Sequence, residues 1–207
     1  MAVLDEVGAD VAVLQEADRR FGDRMSALPL PMIEQHGWQV VPVAQHPVGI
    51  GWHGNAILVR SPVEVLHQAS LALPTLEPRG AILADLRHGG AAFRVVGMHL
   101  DLSGLARRRQ ARTILSTIAA QDEALPTILA GDLNEWRRRL GVIRDFGREH
   151  HPAPLGASFP SWRPVGSLDR IFLCRQGALA DCGVHHSPLA RIASDHLPVW
   201  ADVELRA

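Results

Sequence analysis

Thr127-Ile128-Leu129-Ala130-Gly131-Asp132-Leu133-Asn134 is an apolar run of strand length that stops at a glycine and then presents a carboxylate and an amide. Pro126 opens it, and proline cannot continue a preceding helix. The run reads as a buried strand whose C-terminal end offers polar groups to a ligand. The same design recurs outward in both directions. Val11-Ala12-Val13-Leu14 stops at Gln15-Glu16, residues 93–98 stop at His99, Ser167-Leu168-Asp169 enters a strand-like run at 168–174, and Ser194-Asp195-His196 enters another at 197–205. Singly, each is an ordinary turn or cap, because Asp and Asn satisfy nearby backbone groups. Five together, mixing hard oxygen donors with imidazoles, suit a divalent cation and the handling of a phosphoryl group.

Periodicity and chain breakers organise the remaining residues. Residues 2–8 read as the end of a helix, and Pro29, Pro31, Pro42 and Pro47 divide the chain ahead of residue 56 into loops and short extended pieces. Residues 56–59 form a second apolar strand, and 63–71 continue with strand-like alternation. Residues 81–86 and 93–98 flank His88-Gly89-Gly90, which predicts an antiparallel hairpin. From 104 to 121, Leu105, Ile114, Leu115 and Ile118 recur at helical spacing while Arg107, Arg108, Arg109 and Arg112 occupy other faces. A further helix is predicted around 137–149 and a strand at 180–185. Paired strands with few helices between them predict packed sheets flanked by helices, within one domain spanning 1–207.

Composition narrows the partners. With 47% apolar and 21% charged residues the chain is an ordinary globular one, and its formal net charge of -1 gives no overall field drawing it to nucleic acid or acidic membranes. Phosphate recognition must therefore be local. All 21 basic residues are arginine, which is either a phosphate-reading preference or a coding bias. Two cysteines, Cys174 and Cys182, fit neither a disulfide scaffold nor a zinc site, and no apolar run approaches a membrane span, so a cytoplasmic setting is expected.

Leu14-Gln15-Glu16, His99-Leu100, Gly131-Asp132-Leu133-Asn134, Leu168-Asp169 and Ser194-Asp195-His196-Leu197-Pro198 resemble, in order, the signature motifs of the endonuclease/exonuclease/phosphatase superfamily. The resemblance implies an α/β (α+β) fold, a four-layer α/β/β/α sandwich with two mostly antiparallel sheets packed face to face. It also implies divalent-metal-dependent hydrolysis of phosphodiester or phosphomonoester bonds by activated water, with Mg²⁺ or Mn²⁺ as cofactor. Glu16 would be the metal carboxylate, supported by Asp195. Asp132 and Asn134 would position water and phosphate, His196 would act at the phosphoryl group with its ring oriented by Asp169, and His99 would be a second phosphate-facing histidine. Arg79 falls where the family often has an active-site arginine, but beside Pro78 it reads equally as solvent-facing. Asn55 is either a turn residue or a substrate-binding amide. Arg107 and Gln110 match a family pair whose task is to anchor the helix behind the site.

The partner implied is a phosphoester substrate: nucleic acid, or a lipid or small-molecule phosphate. Arg107-Arg108-Arg109-Arg112 and Arg137-Arg138-Arg139 either track phosphates or form solvated faces, and Trp136 and Trp162 either stack on a ligand or pack internally. One family feature is missing. Members normally begin with a strand ending in an asparagine, yet no asparagine precedes Asn55. The expectation is a chain truncated at its N-terminus relative to the family, by roughly 30 residues at usual element lengths, with β-pairing open beside Val11-Ala12-Val13-Leu14. A catalytically impaired, phosphate-binding relative is the alternative.

Overall fold

The computed structural model describes residues 1–19, 25–44, 46–75 and 79–205. Its centre is a six-stranded sheet ordered β4-β5-β6-β7-β9-β8, built from Glu64–Ala72, Gly80–His88, Ala91–His99, Thr127–Asp132, Asp169–Cys174 and His150–Pro152 respectively. All its pairings are antiparallel except β6 with β7, joined by the 16-residue helix α3 (Gly104–Ala119) as a parallel crossover requires.

Period-2 alternation divides this sheet into two faces. Leu83, Val96, Met98, Leu129 and Phe172 point to a core shared with α3 and the short helix α4 (Val142–Phe146). Ile82, Ala84, Val95, Ile128, Ile171 and Leu173 point the other way, toward two small sheets. One is β1-β3-β2, from Val11–Leu14, Ala56–Arg60 and Trp38–Val40; the other is the hairpin of β10 (Gly177–Val184) and β11 (Val199–Leu205). Gly97 makes the close approach possible, because a Cβ there would lie 2.7 Å from Val13 Cγ1. Helices α1 (Ala2–Val7) and α2 (Leu30–Gln35) complete the fourth layer, where Ile33, Trp38 and Leu58 are buried with Leu4 packed against them. A further short helix, α5 (Pro188–Ala193), precedes β11. The result is the α/β/β/α sandwich expected. No helix among the described residues is long and apolar enough to cross a membrane.

Three local expectations are corrected. The helix around 137–149 contracts to the five residues of α4: residues 137–141 are not helical, and the chain turns into α4 at Gly141 with φ 61. The proline-rich 29–35 stretch contains α2, since Pro31 lies in its first turn, where a missing N–H costs nothing. Trp136 and Trp162 are exposed by 61% and 72%, so neither packs internally. β1 pairs with β3 on one side and with no other strand among the described residues, and Val11, Val13 and Leu14 stay only half-buried. β11 is likewise paired only with β10 among the described residues.

Candidate active site

Strand register assembles the site. Gly80 lies opposite His99, His99 opposite Asp132, and Asp132 opposite Asp169, so one row crosses four strands at the same end of the sheet. Parity puts His99, Asp132 and Asp169 on the face that also carries Val95, Ile128 and Ile171, between the layers. The apolar sandwich filling ends there and charged groups replace it. Gly131 permits the arrangement: its φ of 143 and a would-be Cβ only 1.9 Å from Met98 O exclude any other residue immediately before Asp132.

The side chains join into two linked sets. The Arg79 guanidinium lies against the His99 ring, with Nη1 2.8 Å from Nδ1, and His99 Nε2 is 3.3 Å from Asp132 Oδ2. The Asn134 backbone N–H donates to Asp132 Oδ1 at 2.8 Å, and Asn134 Nδ2 donates to Leu100 O at 2.8 Å, tying the loop after β7 to the end of β6. Burial alone would raise the Asp132 pKa. The hydrogen bond and charge of His99, the Asn134 N–H and the charge of His196 outweigh it and hold this carboxyl below its usual range.

In the second set, His196 Nδ1 meets Asp169 Oδ2 at 2.8 Å. Burial works against the charged imidazole, but the hydrogen bond and charge of Asp169, with the charges of Asp132 and Asp195, hold His196 above the ordinary histidine range. Two contributors were not singled out from sequence. Ser158, fully buried, donates to Asp169 Oδ2, and Phe159 packs on the His196 ring with centroids 4.7 Å apart. Their loop also accepts Leu197 N–H at Ser158 O, 2.9 Å, and donates Ser161 N–H to Asp195 O, 2.7 Å. Nothing in Ser158-Phe159-Pro160 marks these roles, since they depend on a loop touching a segment almost 40 residues away.

Asn55 joins the small sheet to this row. Its Nδ2 donates to Trp52 O at 3.2 Å and Gly80 O at 3.0 Å, leaving Oδ1 buried without a hydrogen-bond partner. Glu16 sits beside that turn: Ala17 N–H donates to Gly54 O, and Gly54 packs on the Glu16 backbone, which adopts a left-handed φ of 55. Its side chain is exposed, as is that of Asp195. Among the described residues, no three His, Cys, Asp or Glu side chains are grouped closely enough to hold a metal ion. Glu16 and Asp195 therefore do not belong to a closed metal cage. Arg107 and Gln110 do anchor the helix behind the site: Gln110 Oε1 accepts Asp101 N–H at 2.9 Å, and Arg107 reaches Leu102 O at 2.7 Å and Glu135 Oε2 at 3.1 Å.

The model of the Endonuclease/Exonuclease/phosphatase family matches residues 1–196. The chain belongs to this family. An Escherichia coli K12 relative, the uncharacterized protein YbhP, is 30% identical over 75% of this chain and 64% of its own length, so the chain spans less than two thirds of that relative. Two solved members of similar fold are the human nocturnin catalytic domain with bound sulfate (TM-score 0.74, 19% identity, 98% of this chain and 83% of that one) and the Bacteroides thetaiotaomicron mannosyl-6-phosphatase (TM-score 0.75, 17% identity, 99% and 88%). As in the family resemblance read from the motifs, the endonuclease/exonuclease/phosphatase sandwich presents His99, Asp132, Asn134, Asp169 and His196 from strand ends and adjoining loops.

The Asp169–His196 pair makes a pH prediction. A raised folded-state pKa means the charged ring contributes stability fully below the unfolded histidine pKa, and that contribution is lost as pH rises through the folded value. If activity uses the imidazolium, its alkaline limb tracks the same value. Asp169→Asn removes the leading favourable contact and leaves the burial penalty, so the limb is expected to move to lower pH. An unmoved limb in the rate–pH profile would detach His196 ionisation from activity.

Proposed function

We propose that the chain hydrolyses a phosphoester with Mg²⁺ or Mn²⁺ as cofactor. The supporting observation is the joined pair of sets at one end of the central sheet, where an acid held below its usual range interacts through its charge with a histidine held above it. Asp132, as the anion, orients the attacking water and takes its proton. Asn134 holds a water or phosphate oxygen beside it. His196, oriented by Asp169, donates to the phosphoryl group as negative charge builds, and Arg79 and His99 add donors on the other flank.

The donor chemistry fits the cation. The unpartnered Oδ1 of Asn55 and the exposed Glu16 carboxylate are hard oxygen donors borne by adjoining segments, and Asp195 would add a second carboxylate from the His196 side. Mg²⁺ is commonly held by one or two carboxylates, waters and substrate phosphate, and needs no all-protein cage. When bound, the ion would neutralise phosphate charge. The sulfate in nocturnin and the mannosyl-6-phosphatase activity of another relative support a phosphate-bearing substrate, whether nucleic acid, lipid or small molecule. One observation favours the second reading, a phosphate binder with impaired catalysis: the edge of β1 beside the Glu16 loop, which pairs with no second strand among the described residues.

A panel of DNA, phosphoinositide, sphingomyelin and a generic phosphodiester, each with Mg²⁺ and with Mn²⁺, tests both. Metal-dependent turnover of at least one substrate is expected. Glu16→Ala should raise the metal concentration for half-maximal rate by at least about tenfold, the scale on which even outer-shell partners act. No turnover across the panel, by this chain and by an N-terminally extended one, would leave only the binding reading.

A further inference from the structure

Three residues beyond Asp132 the chain becomes the wall of an open cavity of about 750 Å³, lined by Arg107, Arg108, Trp136, Arg137, Leu140 and Arg144 around Glu135. Two of these arginines are neutralised locally: Arg107 by Glu135 at 3.1 Å, and Arg108 by Asp145 at 2.7 Å. Arg137 and Arg144 form no ion pair among the described residues, so the cavity holds two uncompensated guanidinium groups in a chain whose net charge is -1. Two arginines without ion-pair partners among the described residues, lining one concavity, are suited to binding a phosphate oxyanion.

Trp136 connects this cavity to the reaction centre. Its ring lies against the backbone of Gly166, where a Cβ would come within 2.9 Å of Cζ3, and it meets Phe159 edge-on with centroids 6.1 Å apart. Phe159 in turn packs on His196 at 4.7 Å. The indole is therefore fixed on one side and bare on the other, standing between the catalytic histidine and the arginine-lined cavity. A rigid exposed aromatic in that place can carry a sugar or base at little entropic cost.

We propose that the cavity is a second anion subsite, in which Arg137 and Arg144 bind a non-scissile phosphate of the same substrate while Trp136 supports the group linking it to the phosphate at His196. This rests on the phosphoesterase reading and deepens it: the preferred substrates carry two phosphates joined by a short organic linker. A nucleic-acid strand and a bisphosphorylated small molecule share that chemistry.

The test compares the chain with its Arg137→Ala/Arg144→Ala variant on matched substrates. These are a dinucleoside monophosphate against a trinucleotide, and a sugar monophosphate against the corresponding bisphosphate. Both positions are exposed, so folding should persist, which thermal melting checks. The double change is expected to raise KM at least about tenfold for the two-phosphate member of one pair, with kcat kept and its single-phosphate partner within about twofold. An effect confined to the trinucleotide identifies a strand as the source, and one confined to the bisphosphate identifies a small molecule. Calorimetric binding of the trinucleotide and of the bisphosphate adds a readout independent of turnover. For the trinucleotide, the slope of log affinity against log salt should fall by about one to two. Arginine-dependent binding without any turnover would sink the hydrolytic reading and keep the subsite. Turnover or binding with equal losses for one- and two-phosphate ligands, or with none, would sink the subsite alone.

Discussion

His196→Ala is expected to lower kcat/KM by about 10²–10⁴, or roughly 3–5 kcal/mol of transition-state stabilisation, on any phosphoester the chain turns over. The ring is partly exposed, held by Asp169 and Phe159, and lies outside the main apolar clusters, so folding should persist with only a modest lowering of the thermal melt from the lost Asp169 contact. Asp132→Ala should cost activity on the same scale. It also removes the acceptor for Asn134 N–H and the carboxylate beside His99 Nε2, so a modest loss of stability accompanies it. A His196→Ala protein with wild-type rates would refute the assignment of the proton-handling role. A large rate loss accompanied by an equally large drop in melting temperature would show that the residue acts through folding.

The second large effect concerns the edge of β1 that has no second partner strand among the described residues. Val11, Val13 and Leu14 are half-buried where β3 covers only one side, and β11, on the same face of the central sheet, also lacks a second partner strand among the described residues. Unpaired backbone groups along an apolar strand are costly and prone to associate with other edges. A chain extended at its N-terminus by one apolar strand ending in asparagine is therefore expected to be more stable by about 2–4 kcal/mol. A few backbone hydrogen bonds at roughly 1 kcal/mol each and the added apolar burial account for this. In urea the midpoint should rise by about 1–2 M. Turnover should rise as well, because the Glu16 loop continues directly from the strand being braced. An unchanged urea midpoint would mean the edge is already satisfied by other means, and would remove the structural ground for the impaired-binder reading.

Local features were legible in the sequence: where apolar runs of strand length stop, and which polar residues stand at those stops. Glu16, His99, Asp132, Asn134, Asp169 and His196 could be read this way because side-chain alternation and chain breakers are properties of a few neighbouring residues. The helix over 104–119 was legible for the same reason. Which strand ends adjoin is a matter of long-range packing, since the His99–Asp132–Asp169 row depends on register between strands far apart in the chain. Packing also resolved Arg79 onto His99 and Asn55 onto Gly80 O, where the sequence left a solvent-facing side chain or a simple turn equally open. The roles of Ser158, Phe159 and Trp136 were not visible in advance, because a buried hydroxyl or a stacked ring gains its meaning only from what folding brings against it. The predicted 137–149 helix failed for a related cause. Glu135 is drawn to Arg107 on α3 and lies where a side chain on Gly141 would stand, and that long-range contact overrides the weak local preference of residues 137–141 for a helix.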